Sequence, residues 1–227
     1  MRVVGGEWRG RRLVAPPGSG TRPTSNKVRE AIFDVLASLP ETGAAGGNAV
    51  RHAPPAGHSV LDLFAGSGGL GIEALSRGAA SCVFVERDRA ALRALHANLQ
   101  RVGAESLATD GRPQSPSDDR RPYVRVCAAD VRRALKADAL NGSLYTLVFI
   151  DPPYDHYAEV QPALVKLLAP VLAPDAVLVV EAARRSKVAL PWRVVREKRY
   201  GDTQVRFLAA DDLQGAEGAV YDDGEAT

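Results

Sequence analysis

The sequence is poor in the residue types that mark several large protein classes. Its two cysteines, Cys82 and Cys127, both sit inside apolar runs. They supply no disulfide framework and read as small core residues in a reducing compartment. Four scattered histidines beside them give no metal-ligand spacing, so no metal site is expected. No apolar run approaches the ~20 residues of a membrane helix. The opening stretch MRVVGGEWRGRRL has no apolar signal-peptide core, and the expectation is a cytoplasmic protein. There is no internal repeat. What remains is a chain of 227 residues, 45% hydrophobic and 25% charged, enough for one large soluble domain with a sizeable core.

Net charge is only +2 but unevenly spread. Residues 1–29 carry Arg2, Arg9, Arg11, Arg12, Arg22, Lys27 and Arg29 against Glu7 alone, a net of +6. From Asp211 to the end there are six acids and no lysine or arginine, a net of −6. A basic arm on a near-neutral body suggests an anionic partner.

The basic arm reads as a small hairpin (residues 2–4 and 12–14) followed by a helix within 28–39. Val28, Ile32, Val35, Leu36 and Leu39 form its apolar stripe, and Ser25 is a plausible N-cap. Residues 40–58 are rich in Gly, Pro and Ala and read as a linker. Residues 105–122 read as a polar surface loop. Between these segments strand and helix patterns alternate. Strands are expected at 59–64, 82–86, 123–127, 145–150 and 177–181, with helices at 69–77, 89–101, 131–137 and 158–168. Continuous apolar strands joined by helices imply a parallel sheet covered on both faces. RVVREKRYGDTQVRFLA reads as two strands around Gly201-Asp202, an antiparallel hairpin closing that sheet. The expected architecture is therefore α/β and Rossmann-like. Its divisions are a basic extension (1–39), a linker (40–58), a catalytic domain (59–210) and an acidic tail (211–227).

VLDLFAGSGGLGIEAL follows the first strand and opens the first core helix. Gly66, Gly68 and Gly71 satisfy G-x-G-x-x-G, which permits a tight turn and lets a ligand approach bare backbone. Glu86 ends the second strand 20 residues after Gly66, where an acid accepts hydrogen bonds from ribose hydroxyls. The ligand expected is one that contains adenosine; glycines alone do not separate a dinucleotide from S-adenosylmethionine. Asp62, just before the loop, favours the latter, because a carboxylate attracts a methionine ammonium group and repels a pyrophosphate. Asp130, ending the third strand, either accepts from an adenine amino group or caps the helix that starts at Val131.

At the carboxyl end of the fourth strand stands Asp151-Pro152-Pro153-Tyr154. In open α/β sheets ligands sit at this edge. An exocyclic amino group on a nucleobase presents two N–H donors and needs acceptors without competing donors. Asp151 offers a carboxylate and Pro152 a carbonyl, while the two prolines remove two N–H groups and fix φ near −65°. Tyr154 offers a face on which a base stacks, worth ~1–3 kcal/mol. The chemistry this suits is in-line attack of an amino nitrogen on a sulfonium methyl group.

These residues resemble those of the bacterial ribosomal RNA small subunit methyltransferase D family. The resemblance runs nearly end to end through VVGGEWRGRRL, RPTSNKVREAIF, VLDLFAGSGGLGIEALSRGA, FVERD, FIDPPYD and RYGDTQVRF. It implies a methyltransferase that uses S-adenosylmethionine and acts on N2 of a loop guanine in 16S rRNA, within the small subunit or an assembly intermediate. Carried over by motif, Asp151, Pro152, Pro153 and Tyr154 form the target-base site. Asp62, Gly66, Ser67, Gly68, Glu86, Arg87 and Asp130 form the cofactor site. Arg9, Arg11, Arg12, Arg22, Lys27 and Arg29 are the candidates for RNA contact. A monomer with no metal and no membrane association is expected. Segments 40–58 and 105–122 are longer than the family's usual ones. The rival readings are a DNA adenine amino-methyltransferase, a dinucleotide oxidoreductase and a non-catalytic RNA-binding assembly factor.

Overall fold

A computed structural model describes residues 1–16, 25–39, 55–104, 122–153 and 157–210. Arg22, Tyr154, the acidic tail and nearly all of the expected linker and polar loop lie outside the described residues. Seven strands form one sheet in the order β3-β2-β1-β4-β5-β7-β6. They are β1 (Ser59–Leu63), β2 (Ser81–Glu86), β3 (Tyr123–Ala128), β4 (Tyr145–Ile150), β5 (Leu172–Ala183), β6 (Arg193–Tyr200) and β7 (Thr203–Ala209). The first five pair in parallel, and β7 lies antiparallel between β5 and β6. The helices are α1 (Asn26–Ser38), α2 (Gly69–Ser76), α3 (Arg89–Val102), α4 (Val131–Leu140) and α5 (Tyr157–Leu168). This is the α/β architecture expected, with the antiparallel closing hairpin. Among the described residues no helix is long and apolar enough to cross a membrane, and no cluster of His, Cys, Asp and Glu could hold a metal ion.

Side chains alternate between the two faces of each strand, and both faces are apolar, so the sheet buries both. On one face Val60, Phe84, Leu147, Phe149 and Val179 pack with α1, α2 and α3. On the other, Leu61, Leu63, Val148, Ile150 and Val180 pack with α4 and α5. Each such side chain contributes roughly 1.5–3 kcal/mol when fully buried. Of the two free cysteines, Cys82 is buried as expected and Cys127 is half-buried.

The N-terminal residues join the first of these cores through Val3, Trp8 and Leu13. They form a hairpin in which Arg2 pairs with Arg12, and Val3 N donates to Arg11 O at 3.0 Å, Gly10 N to Val3 O at 2.9 Å and Leu13 N to Met1 O at 2.9 Å. It docks on α2 through a buried carboxylate. Glu73 accepts from the backbone N–H of Val4 at 2.8 Å and Gly5 at 2.7 Å, and from Arg77 Nε at 2.9 Å. Arg29 Nε lies 3.5 Å from the same carboxylate, both side chains being fully buried. Arg29 also donates to the carbonyl of Arg2 and, at 2.8 Å, to Asn26 Oδ1. Burial pulls the Arg29 guanidinium below its ordinary value, and Glu73 opposes the shift. This corrects the expectation that Arg29 contacts RNA: a side chain with no exposed surface cannot reach a phosphate, and it serves as a clamp.

Removing one partner of a buried ion pair leaves the other charge uncompensated, at about 3–5 kcal/mol. Glu73→Ala should therefore lower the urea-derived stability by about that amount and speed amide exchange at Val4 and Gly5. A loss below about 1 kcal/mol, with exchange unchanged, would refute the clamp.

Candidate active site at the strand ends

β1 and β4 are neighbours, with Leu63 beside Ile150 at their ends. From β1 the chain winds outward to β2 and β3; from β4 it winds the other way through β5. The turns that leave β1 and β4 therefore diverge, and a crevice opens between them at the carboxyl edge. The glycine loop lies on one side and Asp151-Pro152-Pro153 on the other. Asp151 is half-buried, Pro152 buried and Pro153 exposed.

The loop is built on unusual backbone. Phe64, Gly66 and Gly68 take φ of 62°, 57° and 82°, Phe64 being the one non-glycine at positive φ among the described residues. Such a bulky residue there carries strain of order 1–3 kcal/mol, a feature concentrated at ligand sites. A Cβ on Gly66 would meet little, its nearest neighbour being Phe64 O at 4.0 Å, so bare backbone faces open space. A Cβ on Gly71 would meet the Phe84 ring at 2.3 Å, so only glycine lets α2 approach β2. Gly68 caps α2 without a side-chain bond. Asp62 substitutes from below, its Oδ2 accepting from Gly71 N at 2.9 Å. Asp62 is 1% exposed. Burial is the main force raising its carboxyl to about 7; the Gly71 N–H opposes this and Glu86 adds to it.

Glu86 holds the loop from the tip of β2. Its Oε2 accepts from Gly66 N at 2.8 Å, and its Oε1 from Arg87 N and Asp88 N, both at 2.7 Å. A carboxylate has about four lone-pair sites, so one is left for a ligand hydroxyl. Asp130 caps α4, accepting from Arg132 N at 2.9 Å, and its other oxygen lies 3.3 Å from Arg87 Nη1. The helix-cap alternative is thus what the structure displays, with Arg87 bridging the tips of β2 and β3. Asp62, Glu86 and Asp130 thus stand at the carboxyl ends of β1, β2 and β3, and Arg87 is paired with Asp130. Three carboxyl groups at neighbouring strand tips suit a cationic ligand better than a pyrophosphate.

Asn98 is a site residue that the sequence reading missed. It is fully buried on α3. Its Nδ2 donates to Ser67 O and to Val14 O, both at 2.9 Å, and its Oδ1 accepts from Val14 N at 2.8 Å. It ties the N-terminal arm to the glycine loop. The available signal was a lone polar residue on the apolar face of Leu95, Leu99 and Val102.

Of the arm's cations, Arg9, Arg11, Arg12 and Lys27 are exposed. Arg12 lines a cavity of about 480 Å³ with Arg2, Asn26 and Arg101. That cavity lies under the hairpin, not at the strand ends.

A family model described as conserved hypothetical protein 95 matches residues 1–209. The chain is 35% identical to "Putative rRNA methyltransferase YlbH" of Bacillus subtilis, over 90% of this chain and 96% of that one. It is 32% identical to "Ribosomal RNA small subunit methyltransferase D" of Escherichia coli strain K12, over 91% of this chain and 88% of that one. Among solved structures, "Putative methyltransferase yhhF from Escherichia coli" superposes with a TM-score of 0.67 at 32% identity, covering 92% of this chain and 97% of that one.

The raised carboxyl of Asp62 has a sign that can be tested. The unfolded value is about 4, so the folded chain holds a proton that the unfolded chain releases. That contribution to stability is complete below about pH 4 and lost as pH rises through about 7. The stability of the wild type relative to Asp62→Asn should fall by a few kcal/mol across that window in urea titrations. A difference that does not vary with pH would contradict the assignment.

Proposed function

The chain belongs to the ribosomal RNA small subunit methyltransferase D family, and from that premise we propose that it methylates N2 of a loop guanine in 16S rRNA at the β1/β4 crevice. The coarser activity follows from membership: an rRNA methyltransferase that uses S-adenosylmethionine. The observation that carries the finer reading is the juxtaposition of the glycine loop and the Asp151 turn at the two strand ends paired through Leu63 and Ile150.

The residues present fit the cofactor. Gly66 would offer bare backbone and Glu86 a lone pair for a ribose hydroxyl, and Asp130, besides capping α4, would accept from the adenine amino group with a remaining lone pair. Asp62, bonded to Gly71 through one oxygen, keeps the other for the methionine ammonium, whose charge offsets the burial of the carboxylate. Ser67 and Arg87 complete the wall. S-adenosylmethionine supplies an electrophilic methyl group, and when the guanine nitrogen forms the new C–N bond the C–S bond breaks with its electron pair left on sulfur.

The chain's own residues prepare that nitrogen. Its lone pair is delocalised into the ring, which makes it a poor nucleophile. Asp151 and the carbonyl of Pro152 accept its two N–H groups, favour a pyramidal nitrogen and stabilise the positive charge that grows on attack. The surplus proton passes to Asp151 or to water. Pro152 and Pro153 exclude competing donors and stiffen the turn. Tyr154, next in the sequence and outside the described residues, is the ring on which the base would stack. Extrusion of the base from a helix costs a few kcal/mol, which makes a loop nucleotide the easier target. Arg9, Arg11, Arg12 and Lys27 hold the RNA backbone from the N-terminal side, with Arg22 in the same arm.

Replacing a group that stabilises transition-state charge costs about 10²–10³-fold in kcat. Asp151→Ala should lose at least that in methyl transfer to small subunits from a strain lacking this protein, while calorimetry shows S-adenosylmethionine affinity within a few-fold of wild type. Wild-type turnover in this variant would refute the acceptor turn. Binding of NAD in place of S-adenosylmethionine would refute the cofactor, and N6-methyladenine in DNA as product would favour the DNA-directed reading.

A further inference from the structure

β5 runs past the end of β4. Val180 pairs with Ile150, yet the strand continues to Ala183. Three residues at ~3.3 Å each carry it about 10 Å beyond the strand end that bears Asp151. There the chain reads Arg184-Arg185-Ser186-Lys187, with all three cations exposed. The β6/β7 turn reaches the same edge, because Ala183 pairs with Thr203 and Thr203 with Tyr200. Lys198 and Arg199 are exposed beside it.

The acids nearby do not neutralise this surface. Glu197 is bonded to Arg199 at 3.0 Å and to Arg206 at 2.9 Å. Asp202 lies in the turn, Asp34 of α1 acts electrostatically on Tyr200, and Glu181 is buried in β5. Arg184, Arg185, Lys187 and Lys198 make no ion pair among the described residues. The backbone beneath the cations is fixed. Gln204, 3% exposed, donates to Ala183 O at 2.9 Å and Ser186 O at 2.7 Å. Arg184 N donates to Asp202 O at 2.7 Å, and Ser186 N to Ala183 O at 2.8 Å. Farther along, Arg206 donates to Val188 O at 2.8 Å, and Ala189 N to Gln161 Oε1 at 2.8 Å. A loop pinned at this many points loses little entropy on binding.

We infer that residues 184–187, with Lys198, form a second RNA-binding surface that takes the phosphates flanking the target nucleotide on the β5 side of the crevice. The N-terminal hairpin docks on α2, on the β1–β2 side of the β1/β4 junction, and the basic loop lies beyond β5, across it. An RNA strand that offers a base to Asp151 reaches the loop within a few nucleotides. Contacts there are to phosphates, so they set affinity and register and read no sequence. The proposal rests on the rRNA-methyltransferase reading and adds a place on the surface that the basic arm does not cover.

The test uses the full chain with Arg184→Ala, Arg185→Ala and Lys187→Ala combined, and the charge-preserving set Arg184→Lys, Arg185→Lys and Lys187→Arg. Binding to a fluorescent single-stranded 16S rRNA fragment is titrated over a series of KCl concentrations. Each phosphate contact on a single strand contributes ~0.7 to the slope of log K against log salt, so the alanine set should flatten it by about 2. Its KM for rRNA should rise at least tenfold, with kcat at saturating RNA and S-adenosylmethionine affinity unchanged, and the charge-preserving set should behave as wild type. A wild-type slope and KM in the alanine set would overturn the second surface alone. Equal loss in both sets would overturn its electrostatic basis. Failure of the wild type to bind rRNA would overturn this inference together with the proposed function.

Discussion

Everything proposed for this protein depends on the parallel pairing of β1 with β4. Val60 to Leu63 run beside Leu147 to Ile150, and both strands are buried on both faces. A parallel neighbour must arrive by a crossover, and here the crossovers on either side of this pair wind in opposite directions. The two turns at its carboxyl end thus share a crevice with no strand connection across it. Neither the glycine loop nor the Asp-Pro-Pro turn alone assigns a reaction. Set side by side by the buried apolar residues of β1 and β4, they put a loop of bare backbone opposite a turn in which two prolines remove two N–H donors.

The crevice is held in shape by polar groups buried among apolar ones. Asp62 braces the loop against α2, Glu73 anchors the N-terminal hairpin, and Asn98 joins that arm to Ser67. A buried polar atom without a partner costs about 1–3 kcal/mol, so each of these is tolerable only because backbone N–H and C=O groups satisfy it. Their shared consequence is that the N-terminal arm and the glycine loop are not independent. Displacing Val14 disturbs Asn98, and Asn98 holds the carbonyl of the loop's central serine.

Much of this was legible in the residues. Period-two and continuous apolar runs located all the core strands, and β4 was read to the residue, 145–150. Ser25 caps α1 as its hydroxyl and spacing suggest, accepting from Val28 N at 3.2 Å. β5 is longer than its apolar stretch, Leu172–Ala183 against 177–181, because Pro174 and Asp175 look like a turn in sequence but sit at the less crowded start of the strand. Arg29 was misread, since an arginine in a basic arm looks solvated and nothing local discloses that Glu73, on another helix, will cover it. Arg184, Arg185 and Lys187 belong to no motif; only the register of β5 with β4 and β7 places them beyond the strand end that bears Asp151. Long-range pairing is what a linear reading lacks.

The central claim is that one guanine amino group meets the Asp151 turn in this crevice. Mass mapping of 16S rRNA from a strain lacking this protein tests it most directly, with complementation by the wild-type and Asp151→Ala chains. The account expects one N2-methylguanosine to vanish in the deletion, to return with the wild type and to stay absent with the variant. A modification pattern identical in all the strains, or full restoration by Asp151→Ala, would contradict it.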